Sequence, residues 1–193
     1  MANRYKNAQF DLTTTNATDI YTVPTESRAI IQNIHTANVG GGNTEIKAKT
    51  DVMGFPLWAG IPTSLQAKTL RSHLLSSDMF SKWGIRSTSS NNKRYNNLNE
   101  IVPYSNWQGP VWVNANAVIS FGLTKYGYME DSIEIANRVV QTLSNDLLRD
   151  NTWHEGYDSE NGTGLAANGF LSWDTLVATW PENIVKRVDP FEI

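Results

Sequence analysis

The stretch Tyr104-Ser105-Asn106-Trp107-Gln108-Gly109-Pro110-Val111-Trp112-Val113-Asn114-Ala115-Asn116 decides how this chain is read, together with His154-Glu155-Gly156-Tyr157-Asp158 further along. The first stretch places two indoles, several carboxamides and a Gly-Pro corner in a loop that runs directly into an apolar helix. Sugars present flat C–H faces that stack on indole and hydroxyls that pair with carboxamides. Trp107, Gln108, Trp112 and Asn116 therefore have the chemistry of a carbohydrate site on a helical rim. The same tryptophans also fit a plainer role, as core anchors of a helix entry.

Downstream of the loop, Val111 to Gly122 is apolar on nearly every side, with Val113, Ala115, Ala117, Val118, Ile119 and Phe121. Such a helix belongs inside. Ile133, Ala136, Val140, Leu143 and Leu147 follow a three–four spacing, with Glu130, Asp131, Glu134, Arg138 and Asn145 elsewhere on the surface, which predicts an outer helix. Gly127 supplies the turn between the two. Upstream, Pro62 suits a first helical turn, and Leu65, Ala67, Leu70 and Leu74 form a weaker stripe. Leu171 to Trp180, ahead of Pro181, reads as a further short apolar unit. Inner and outer helices alternating through glycine turns predict a toroid or solenoid of helix pairs in preference to a bundle.

The grammar is different before residue 50. All seven tryptophans lie after it. Thr13-Thr14-Thr15, Ile20-Tyr21-Thr22-Val23 and Ala29-Ile30-Ile31-Gln32-Asn33-Ile34-His35 read as strands, Gly40-Gly41-Gly42-Asn43 as a turn, and Thr44 to Lys49 alternates polar and apolar. Residues 1–50 are thus expected to be a short β-rich segment preceding a mainly α part, residues 51–193. So few strands cannot bury a face by themselves, so either the segment pairs with another chain or its remaining strands were lost.

Composition narrows the function classes. The 193 residues are 18% charged, with a formal net charge of −3 and a pI near 5.6. This leaves no basic face for nucleic acid or an anionic membrane. There is no cysteine, so disulfides and thiolate metal sites are ruled out. His35, His73 and His154 are scattered, and Gly40-Gly41-Gly42 precedes a strand, not a helix; no metal, phosphate-bound cofactor or other cofactor is expected. Asp158-Ser159-Glu160-Asn161-Gly162 has the spacing of a glycine turn and not of a calcium loop. No apolar run follows Met1 to Asn7, so the expected location is cytoplasmic or virion-associated.

Five motifs in order carry a resemblance: Met53-Gly54-Phe55-Pro56-Leu57-Trp58-Ala59-Gly60, Phe80-Ser81-Lys82-Trp83-Gly84-Ile85-Arg86-Ser87, Tyr95-Asn96-Asn97, Ser105 to Trp112, and Glu155-Gly156-Tyr157-Asp158 with Gly164 and Phe170 to Trp173 behind. Together they resemble the C-terminal part of the catalytic domain of glycoside hydrolase family 63, the α-glucosidase and mannosylglycerate-hydrolase type group. The resemblance implies a partial (α/α)6 toroid made of helix hairpins and an inverting glycosidase acting on α-linked gluco- or manno-configured oligosaccharides. It implies Glu155 as the general base. It places Trp107, Gln108, Gly109 and Trp112 on the sugar pocket, with Trp58, Trp83, Tyr157 and Trp173 as further walls. It also implies a general-acid aspartate from a region N-terminal to every matching motif, which residues 1–50 do not resemble.

Asp51, Asp131, Asp150 and Asp158 read more simply as helix-end or turn residues. Half a catalytic pair and part of a barrel predict little turnover from this polypeptide alone, and a homo-oligomer or a second chain completing the barrel. Ala8-Gln9-Phe10-Asp11-Leu12-Thr13-Thr14-Thr15 and Ile20-Tyr21-Thr22-Val23-Pro24 resemble the start of small β-rich structural proteins of tailed-phage particles. The competing reading is therefore a non-catalytic structural or carbohydrate-binding protein, with the two parts joined by fusion.

Overall fold

The computed structural model describes residues 49–99 and 105–191. The strands expected before residue 49 lie outside the described residues. Helix α3 (Val113–Lys125) is the inner helix, burying Val113, Ala115, Asn116, Ala117, Ile119, Ser120, Phe121, Gly122 and Leu123. It starts two residues later and ends three residues later than its apolar run. After a turn with Gly127 at φ +83°, helix α4 (Met129–Asp150) folds back along it.

The face that α4 buries differs from the expected stripe. Ser132, Ile135, Ala136, Val139, Thr142, Leu143 and Asp146 are buried, whereas Ile133 and Val140 are only half-buried and Leu147 is 46% exposed. Two serines account for the rotation. Ser132 Oγ donates to the Ser120 carbonyl at 2.8 Å, and Ser120 Oγ donates to the Ser132 carbonyl at 3.1 Å. Small residues paired in this way let the two backbones approach, and the turn of helix that carries them faces inward. Trp180 Nε1 joins the same cluster through Ser120 Oγ at 3.1 Å.

The remaining helices pack around this hairpin. A 3-10 turn (Asp51–Gly54) leads into α1 (Phe55–Trp58), which crosses α3 where Gly122 stands. A Cβ on Gly122 would lie 2.5 Å from the Trp58 backbone nitrogen, so only glycine permits the crossing. Helix α2 (Ser64–Leu74) begins with a capping box: Gln66 N donates to Thr63 Oγ1, and Thr63 N donates to Gln66 Oε1 at 2.8 Å. Of its stripe, Ala67 and Leu74 are buried and Leu65 is exposed. At the C-terminal end, a 3-10 turn (Trp173–Ala178) precedes α5 (Trp180–Lys186). Pro181 does not close a helical unit as expected; it sits in the first turn of α5, where its missing N–H costs nothing.

Two short hairpins complete the described part. β1 (Phe80–Ser81) pairs with β2 (Gly84–Ile85), and β3 (His154–Tyr157) pairs with β4 (Gly164–Asn168), each antiparallel.

Asn116 pins β2 to α3. Its Oδ1 accepts the Ile85 N–H at 2.7 Å, and its Nδ2 donates to the Ile85 carbonyl at 3.0 Å and to the Trp112 carbonyl at 2.9 Å. The carboxamide is fully buried and behaves as an extra peptide group, so it is not the sugar contact its residue type suggested. Asn116→Ala strands both backbone groups of Ile85, and chemical denaturation is expected to show a loss of about 2–4 kcal/mol.

Asp51 is 2% exposed, with Oδ1 held by the Val52 N–H and Oδ2 without a partner among the described residues. Burial pushes its carboxyl up to about 7, against the lowering effect of the Val52 hydrogen bond. The raised value means the folded state holds this proton longer than the unfolded one. Its contribution is therefore complete in acid and is lost as pH rises to about 7. Thermal melts are expected to show Asp51→Asn gaining on the wild type between pH 4 and 7, with the difference level above that.

Candidate active site

The site is assembled by one backbone pairing. Val111 N donates to the Tyr157 carbonyl at 2.8 Å and Tyr157 N to the Val111 carbonyl at 3.0 Å, which lays β3 beside the residues that enter α3. Glu155 is on this strand. The neighbouring Trp112 is buried, with Nε1 donating to the Asn106 carbonyl at 3.2 Å. A Cβ on Gly156 would touch the Trp112 ring at 3.4 Å, so the strand lies directly on the indole.

Trp107 covers the other indole face, with centroids 4.2 Å apart and planes 3° apart, and is itself 42% exposed. The buried ring holds the outer one rigid. An exposed indole fixed in this way is a platform for a sugar face.

Gln108 is exposed, and its Oε1 accepts Asn96 Nδ2 at 3.0 Å, which leaves the amide nitrogen to solvent. Gly109 is buried and donates its N–H to Ser87 Oγ at 3.0 Å. A Cβ there would fall 2.2 Å from the Asn96 carbonyl oxygen, so the loop passes closer than a side chain allows. Gly109 thus shapes the loop and has no surface for a ligand.

Glu155 is half-buried. Ser105 Oγ donates to its Oε2 at 2.9 Å, and Trp173 Nε1 donates to its backbone carbonyl at 3.3 Å. The Trp173 ring meets Trp112 edge-on at 6.3 Å. Glu155, Trp107, Trp112 and Trp173 therefore form one cluster.

Three other predicted contacts do not join it. Trp58 lies by the C-terminal end of α3, where Nε1 donates to Asp189 Oδ2 at 2.6 Å and its carbonyl accepts Lys125 Nζ at 2.9 Å. Ten residues of helix, about 15 Å, separate the level of Trp112 from that of Gly122, which Trp58 touches. A cavity of about 210 Å³ lined by Phe121, Thr124, Lys125, Arg187, Val188 and Asp189 also lies at that far end. Trp83 is half-buried against Gly162, whose added Cβ would strike its ring at 2.6 Å, and supports the loop after β3. Tyr157 is wholly buried with its hydroxyl turned inward to accept the His154 N–H at 3.3 Å. It cannot reach a sugar.

Behind Glu155 is a group of buried acids that residue-type reasoning passed over. Asp146, fully buried on the inner face of α4, binds the Arg149 guanidinium through one oxygen and His154 Nδ1 through the other at 2.9 Å. Asp174 is also fully buried, and neither of its oxygens meets a partner among the described residues. Burial, then the charges of Asp146 and Glu155, push its carboxyl up to about 8. Burial, with Asp174 and Asp146 behind it, drives the Tyr157 hydroxyl well above its usual range.

The signal available in the sequence was one acid inside each apolar face, at Asp146 three residues beyond Leu143 and at Asp174 within Leu171 to Trp180. Asp146, Asp150 and His154 offer ligand atoms within 4.8 Å of one another, but Asp146 already holds both a guanidinium and an imidazole. That donor set is satisfied without an ion.

A mannosylglycerate hydrolase of Rubrobacter radiotolerans is 33% identical over 67 residues, 35% of this chain and 14% of its own length. Alpha-glucosidase 2 of Arabidopsis thaliana is 31% identical over 112 residues, 51% of this chain and 14% of its own length. The solved family 63 mannosylglycerate hydrolase of Thermus thermophilus in complex with glucose superposes with a TM-score of 0.58 at 24% identity, covering 70% of this chain and 31% of that one. The fold is thus part of an (α/α)6 toroid. The chain spans about a seventh of the length of these two curated relatives.

These relatives lend no support to the phage-particle and fusion readings. The profile of the mannosylglycerate hydrolase MGH1-like glycoside hydrolase domain matches residues 16–173, crossing the compositional boundary at residue 50, and the chain belongs to that family.

Proposed function

We propose that residues 51–193 are the C-terminal part of an inverting glycosidase domain acting on α-linked gluco- or manno-configured substrates, with Glu155 as the general base. The observation that carries this reading is the clustering of a half-buried carboxylate with an exposed indole stacked on a buried one. In such a reaction the base takes a proton from water as the water oxygen bonds to the anomeric carbon. In the same step the glycosidic C–O bond breaks, and its oxygen takes a proton from a second carboxylic acid roughly 6.5–9.5 Å from the first. Ser105 fixes one oxygen of Glu155 and leaves the other for water. Trp107 is the sugar platform, Trp112 its support, and Gln108 an amide donor at the rim.

The second carboxylic acid and the rest of the helical ring come from polypeptide outside residues 51–193, or from a partner chain or second copy. Asp174 does not serve as that acid, because full burial keeps it from any leaving group.

A donor that departs without a proton isolates the base half. Fluoride is such a leaving group, so α-glucosyl fluoride needs little acid assistance. The chain is expected to release fluoride from it, giving the inverted β-sugar, and Glu155→Gln to lower that rate by about 10²–10⁴-fold. Fluoride release unaffected by Glu155→Gln refutes the assignment. D-glucose binding, followed by calorimetry, is expected to weaken about tenfold in Trp107→Ala, the size of one aromatic contact.

A further inference from the structure

The Trp173-Asp174 pair holds the strand of Glu155 from behind. Trp173 Nε1 grips the Glu155 backbone carbonyl at 3.3 Å, and the next residue sends a carboxyl into the interior. Among the described residues, every charged group that acts on that carboxyl is negative: Asp146 from α4 and Glu155 from β3. The neutral Tyr157 hydroxyl lies in the same field, and the Arg149 guanidinium and the His154 imidazole are both committed to Asp146, one at each oxygen. An ionised carboxylate with no hydrogen bond and two like charges around it is far costlier in a protein interior than its protonated form.

We propose that Asp174 is a positioning residue for Glu155, a carboxylic acid that keeps its proton at neutral pH behind β3, so that the negative charge beside the indole wall is Glu155's alone. A neutral acid lets the 3-10 turn (Trp173–Ala178) pack against the strand, which keeps the Trp173 hydrogen bond and hence the orientation of Glu155. Once the proton is lost, three carboxylates crowd one interior. The turn is then pushed off the strand and the Trp173 contact opens. The base is thereby given an alkaline limit set by a residue that never touches substrate. This rests on the reading of Glu155 as base, but its physical content can be read without turnover.

The experiment is carboxyl ¹³C NMR on the whole chain labelled at Asp and Glu, with each resonance assigned through its own side-chain protons. Asp174 Cγ is expected to titrate near pH 8, and Glu155 Cδ to show a second inflection at that same pH. The Trp173 indole N–H resonance is expected to move in step. In Asp174→Asn, which keeps shape and removes the proton, the alkaline inflections of Glu155 and Trp173 are expected to vanish. The alkaline limb of fluoride release is expected to move to higher pH while the neutral rate is kept. Asp174 Cγ titrating below pH 6 overturns the proposal, as does an alkaline step on Glu155 that survives Asp174→Asn. The wild-type titration decides even if the variant does not fold. If Glu155→Gln leaves fluoride release intact while these couplings are seen, the assignment of the base fails and the buried acid stands.

Discussion

Two hydrogen bonds between Val111 and Tyr157 hold this structure's functional end together. They join stretches far apart in sequence, one entering the inner helix and the other following the outer helix. Because side chains alternate along a strand and the indole follows Val111 by one residue, fixing this register fixes everything beside it. Gly156 falls on Trp112, Trp107 is stacked outside it, and Glu155 stands next to both Trp173 and Ser105. A slip of one residue would turn the buried Tyr157 outward. The buried phenol, with its hydroxyl satisfied by the His154 N–H, opposes that slip.

Charge in the interior is handled in two ways. Asp146 is given a guanidinium and an imidazole, so its burial is compensated locally. Asp51 and Asp174 are given no cation among the described residues, and each is pushed toward its neutral form by desolvation before anything else. The first solution anchors the C-terminal end of α4 to β3. The second produces acids that respond to pH without meeting solvent. Both are positioned by the helices and not by the loop that carries the indoles, so the site's electrostatics belong to the scaffold.

The candidate site was legible where residue type and spacing have one meaning. An indole pair around a Gly-Pro corner had two uses, and the structure separates the two rings: Trp112 is buried as a core anchor, and Trp107 is exposed. Asn116, Trp58, Trp83 and Tyr157 were misplaced for a common reason. Carboxamides and aromatic rings serve backbone pairing and core packing as readily as they serve sugars. Only the neighbour decides, and for Asn116 that neighbour is Ile85. The α4 stripe went astray more narrowly. Hydrophobicity put Ile133 and Val140 inward, while the paired Ser120 and Ser132 turned Ile135 and Val139 there instead.

By itself the sequence determined the helical hairpin around Gly127, the inner character of α3 and the indole density of the loop before it. These follow from local composition and period, which act over a few residues. Only the tertiary structure decided which rings are exposed and which are core, and that Asp174 lies behind Glu155. Those depend on contacts between stretches far apart in the chain, and on the cost of burying a charge, which has no counterpart in an extended chain surrounded by water.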